Sequence, residues 1–129
     1  MALIVSLERG AIKLDLGDYR AVALTGNELR VLDSDRNVLI TKHMHNRWIA
    51  PGRHGESFMT LNIAGPLVIE VQDGEASRLG PYMVFSMTDG ILYVDQRVLG
   101  LWDTQTGDWY VKDASRHSSR LRIAFHPTD

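Results

Sequence analysis

The sequence predicts an all-β protein of about twelve short antiparallel strands, in two tandem six-strand repeats that form one pseudo-twofold barrel or sandwich. Three observations lead there. Apolar and polar residues alternate with a period of two along most of the chain, and turn residues interrupt the alternation at short intervals. No window of eleven or more residues carries apolar positions at the three-and-four spacing of an amphipathic helix. The stretch Leu79 to Val94 (LGPYMVFSMTDGILYV) echoes Leu16 to Val31 (LGDYRAVALTGNELRV), with six of sixteen positions identical at one constant offset.

The echo extends both ways. Leu3, Ile4, Val5, Ser6 and Leu7 match Leu67, Val68, Ile69, Glu70 and Val71. Downstream, Arg36 answers Arg97, Trp48 answers Trp109, and Arg53-His54 answers Arg116-His117. Leu61, Ile63 and Ala64 answer Leu121, Ile123 and Ala124, so repeats of about 1–65 and 66–129 make up one domain, 1–129.

In order, Leu3, Val5 and Leu7 form a first alternating strand, Glu8 to Gly10 a turn, and Ile12, Leu14 and Leu16 a second strand. Gly17-Asp18 and Gly26-Asn27 read as hairpin turns flanking Tyr19 to Thr25, because glycine at the first central position suits a type II′ turn. Glu28 to Leu32 follows, then a polar loop from Asp33 to Asn37, then Val38 to His45. Trp48 to Ser57 holds Pro51, Gly52 and Gly55 and reads as a loop before the strand Phe58 to Ile63. Ala64-Gly65-Pro66 is expected to break the chain between the copies. The second copy reads as Leu67 to Val71, a turn at Gln72 to Gly74, a polar stretch to Gly80, and Tyr82 to Met87. Turns at Thr88-Asp89-Gly90 and Asp95-Gln96 bound Ile91 to Val94, after which come Arg97 to Asp103, Asp108 to Val111, a loop from Lys112 to Ser119, and a last strand through Phe125.

The 129 residues make one ordinary domain, which buries roughly two thirds of its unfolded surface. A net charge of −2 with acids and bases balanced makes no case for nucleic acid or an anionic membrane. Zero cysteines exclude disulfides and thiolate chemistry and suit a reducing, cytoplasmic compartment. The opening ALIVSLERG is too short for a signal h-region or a membrane span and reads as a strand.

Among residues that carry chemistry, His43 and His45 share one face of a strand, a spacing that suits chelation of a divalent metal. This HxH resembles the first metal motif of cupins, yet Glu56 lies eleven residues after His45, outside that motif. The acidic loop Asp33 to Asn37 lacks the glycine and distal glutamate of a calcium-binding EF-hand. Arg53-His54 and Arg116-His117 offer cations for a carboxylate, phosphate or sugar hydroxyl. Trp48 and Trp109 occupy equivalent places at strand ends, and near the second Trp102 and Tyr110 lie beside Asp103, Gln105 and Asp108, a combination that suits a sugar platform, although a tryptophan held in both copies is more often a core plug. No serine sits in a nucleophile elbow, and no paired carboxylates show an apolar setting.

These observations lead to the expectation of a non-enzymatic module that binds a small molecule, carbohydrate or protein partner. Its ligand-binding residues would be Trp48, Arg53, His54, Trp102, Trp109, Arg116 and His117. The alternatives are a structural protein that assembles as a homo-oligomer through an exposed strand edge, and a small cupin-like metal-dependent enzyme using His43 and His45. No cofactor is expected apart from a divalent metal at that histidine pair.

Overall fold

The computed structural model describes residues 3–25, 28–31, 39–43, 47–50, 56–73, 75–103, 108–111 and 122–128. These form twelve strands. β1 (Leu3–Arg9), β2 (Ile12–Tyr19), β3 (Val22–Thr25), β4 (Glu28–Val31), β5 (Leu39–His43) and β6 (Arg47–Ile49) come from the first part of the chain. β7 (Thr60–Asp73) and β8 (Glu75–Thr88) span its middle, and β9 (Ile91–Val94), β10 (Arg97–Asp103), β11 (Asp108–Val111) and β12 (Arg122–Pro127) complete it. Among the described residues no helix is long and apolar enough to cross a membrane.

The strands form one antiparallel sheet in the order β11-β10-β9-β8-β7-β12-β3-β4-β5-β6, with β1 on β7 and β2 on β1. Hairpin connections account for most of this order, as the two-residue turns require. The Asp89-Gly90 turn has φ of 51° and 78°, and the Asp95-Gln96 turn has φ of 48° and 69°, the left-handed conformation of a type I′ hairpin. β7 is the hub. It pairs with β8 along one edge, while its other edge takes β1 at residues 60–64 and β12 at residues 67–72.

Three expectations are corrected. The sheet is not closed into a barrel among the described residues: β6 and β11 end its path, and β2 has β1 as its one strand neighbour. Ala64-Gly65-Pro66 does not end a strand, nor is residues 75–80 a separate segment, because β7 and β8 are each continuous over fourteen residues. Pro66 is tolerated because the ladder already shifts register between Ala64 and Leu67, where no N–H is called for. Gly17 is not in a turn. It lies inside β2 with φ of 120°, beside a register shift that leaves Leu16 as an extra residue, and Gly80 occupies β8 with φ of 119° beside the shift between Leu67 and Ile69. Both glycines supply a backbone conformation at a bulge that a side chain would resist.

Alternation buries one set of side chains from every part of the sheet. Leu3, Val5, Leu7, Val22, Leu24, Leu29, Leu61, Ile63, Leu67, Ile69, Leu92, Ile123 and Phe125 belong to a single buried cluster. The rings of Phe85 and Phe125 meet at 4.4 Å between centroids and 56°, the tilted arrangement that ring quadrupoles favour. Beside the cluster, the Arg9 guanidinium lies 5.7 Å from the centre of the Phe58 ring.

Candidate functional site

The residues singled out from the sequence do not converge on one site among the described residues. Trp48 and Trp109 meet, but inside the core: they are 1% and 2% exposed, with ring planes 5° apart and centroids at 6.4 Å, a laterally offset stack. β6 presents Trp48, which exchanges backbone hydrogen bonds of 2.9 Å with Phe58, and β11 presents Trp109 opposite Trp102 of β10. The two strands that end the sheet path therefore meet through their tryptophans. Arg53, His54, Arg116 and His117 lie outside the described residues, as does His45.

His43 ends β5 opposite Arg47 of β6. Among the described residues no three His, Asp or Glu side chains gather into a group that would hold a metal.

A different surface stands out on the side of the sheet away from the core. In β9, Leu92 and Val94 point inward, so Ile91 and Tyr93 point outward. Directly opposed residues share a face, which sets Leu101 beside Ile91 and Val98 beside Tyr93. Val98 is 49% exposed and Leu101 37%, while Ile91 and Tyr93 are half-buried. Tyr110 of β11 pairs with Leu101 and is itself half-buried, packed against the core cluster.

Simple alternation hides this patch, because Val98 and Leu101 are three residues apart and would fall on opposite faces of a regular strand. A bulge at Leu99, where the register shifts between Val98 and Gly100, brings both outward. Gly100 makes the bulge fit. A Cβ there would collide with the Tyr110 carbonyl oxygen and lie 3.1 Å from Leu92 Cδ1.

The other end of the sheet has the same succession of short strands, β4-β5-β6, and β4 differs in its outward chemistry. There the outward residues of β4 are Glu28 and Arg30, joined by a 3.4 Å ion pair. Charged residues are the ordinary occupants of a solvated sheet face, and the apolar row on β9 and β10 differs from β4 in this, as do the exposed Ile4 of β1 and Met83 and Val84 of β8.

One further polar device fixes the geometry next to this row. The Asp95 carboxylate accepts hydrogen bonds from the Met83 and Val84 amides at 2.9 and 3.0 Å, and its own amide donates to the Val84 carbonyl at 3.0 Å. β9 pairs with β8 from Phe85 onward, so the hairpin turn takes over the backbone groups just beyond the end of that ladder. Comparison with known proteins adds nothing to this geometry: no protein-family model, curated protein or solved structure matches the chain.

Proposed function

We propose that this chain is a non-enzymatic interaction module that engages a protein partner on the outward face of β9 and β10. The observation that carries the reading is the cross-strand row of Ile91, Tyr93, Val98 and Leu101, where the other end of the sheet has Glu28 and Arg30. Aromatic and branched apolar residues on a rigid strand pair are what a buried interface centre uses, and a flat sheet face fits a macromolecule better than a small ligand. A stacking platform for a sugar needs an exposed ring, and Trp48 and Trp109 are turned toward each other in the core. A cytoplasmic setting accords with the absence of cysteine.

The same reading takes the chain as two copies of one six-strand unit arranged as a two-sheet sandwich. Several ladders support it by repeating residue for residue. Leu3 opposes Tyr19 as Leu67 opposes Tyr82, and Leu24 opposes Leu29 as Met87 opposes Leu92. Lys42 opposes Trp48 as Trp102 opposes Trp109. In the last strand the matching is two residues away from the one read in the sequence. Leu61 opposes Met87 as Ile123 opposes Leu24, so Leu61 corresponds to Ile123 and Ile63 to Phe125. On this view the stacked tryptophans lie across the pseudo-twofold axis, and the copies have diverged on their outer faces.

The test is a photo-crosslinking amino acid placed singly at positions 98, 101, 28 and 30 in the native host. The reading expects one discrete heteromeric adduct from positions 98 and 101 and none from 28 and 30. Equal labelling at all four positions, or none at any, refutes it. A second reading, assembly of copies of this chain, is favoured by the edge of β2, which has no second strand neighbour among the described residues.

A further inference from the structure

The edge of β2 away from β1, which has no strand neighbour among the described residues, is complementary to itself, and we propose that two copies of this chain join by antiparallel pairing of β2 with β2, centred on Leu14. The proposal deepens the assembly reading above and rests on it. β2 has one strand neighbour among the described residues, which leaves the other side of an eight-residue strand able to extend the sheet.

A twofold axis through the pairing restricts the register. Opposed residues in an antiparallel ladder share a face, so positions two apart can face each other across the axis and adjacent positions cannot. Lys13 and Asp15 are both exposed on the outward face, 3.9 Å apart within one chain. Centred on Leu14, the pairing sets Lys13 against Asp15 of the second copy, and Asp15 against its Lys13. It also sets Ile12, 53% exposed, against the half-buried Leu16 of the second copy. Centred on Lys13 or on Asp15, the pairing would oppose like charges. The Leu16 bulge ends the straight part of the edge, which confines the contact to residues 12–16.

Lysine on an edge strand ordinarily blocks pairing, since each copy would bring a positive charge to the same place. Here the aspartate two residues on converts that block into a selector for one register and for one partner, the same strand of an identical chain. The equivalent edge on β8, residues 75–82, offers no such match, because a pairing centred on Ser77, the counterpart of Leu14, would set Arg78 against Ala76 rather than against an opposite charge.

The experiment is sedimentation equilibrium on the full chain and on Lys13→Asp, Asp15→Lys and the double exchange, with far-ultraviolet circular dichroism to confirm that each is folded. The expected result is a reversible dimer of the unmodified chain, weakened about tenfold by either single exchange. The double exchange restores it, and an equimolar mixture of the two single variants forms a heterodimer. Raising the salt concentration weakens every form. A chain that stays monomeric up to about 1 mM overturns both this proposal and the assembly reading. A dimer indifferent to the exchanges overturns edge pairing alone and sends self-association to another surface.

Discussion

Replacing Trp109 with alanine is expected to destabilise the protein by about 4 kcal/mol, on the basis of where its ring lies. Trp109 is 2% exposed, and one face of its indole is taken by Trp48 at 6.4 Å between centroids. Burying an aromatic side chain of this size removes about 200 Å² from water, worth roughly 5 kcal/mol at 25 cal/mol per Å². Partial collapse of the cavity brings truncation of a buried tryptophan to about 3–5 kcal/mol. A domain of ordinary stability, about 5–15 kcal/mol, would be left marginal. Urea denaturation followed by circular dichroism reads the effect as a fall of about 2 M in midpoint at unchanged slope. Combining Trp109→Ala with Trp48→Ala isolates the stack, with a coupling of about 1 kcal/mol between the two positions. A loss of under about 1 kcal/mol from Trp109→Ala would refute the core assignment. It would return both tryptophans to the ligand site suggested by their neighbours in sequence.

Two other substitutions test the geometry beside the apolar row. Gly100→Ala drives a Cβ into the Tyr110 carbonyl oxygen and should cost about 3 kcal/mol by spreading β10 from β11, with urea midpoints as the measure. A neutral effect would mean that the close approach of the two strands is wrong. Asp95→Ala removes the acceptor for the Met83 and Val84 amides and puts alanine at φ of 48°, for a combined loss of about 2 kcal/mol. Asp95→Asn keeps an oxygen acceptor and tolerates that backbone, so it should retain most of the stability and the slow exchange of both amides; equal damage from the two would refute the role of the side chain.

Both tryptophans illustrate how far the sequence reaches. Their matching places in two similar stretches are visible in the letters, but Trp48 reads there as the start of a loop, whereas the structure sets it in the short strand β6 as it sets Trp109 in β11. Whether each ring faces water or the core is a question of phase, and a strand's phase is lost wherever an irregular segment intervenes. The outward row on β10 was hidden for a related reason. Val98 and Leu101 share a face because Leu99 bulges, and a bulge depends on the strands across the ladder as well as on the residues that form it.

By itself the sequence determined the all-β class, the antiparallel sense and most strand positions, because alternation and two-residue turns are local signals with short-range causes. Its failures lie where chain neighbours and spatial neighbours differ. Gly-Pro at residues 65–66 looks like a break, yet β7 continues through it because β8 on one side and β1 and β12 on the other hold the strand extended. That β2 has one strand neighbour among the described residues, and that Ile91, Tyr93, Val98 and Leu101 form one surface, was decided by tertiary structure alone. Pairing partners and bulges are chosen by the energy of the whole ladder, to which residues far apart in the chain contribute together.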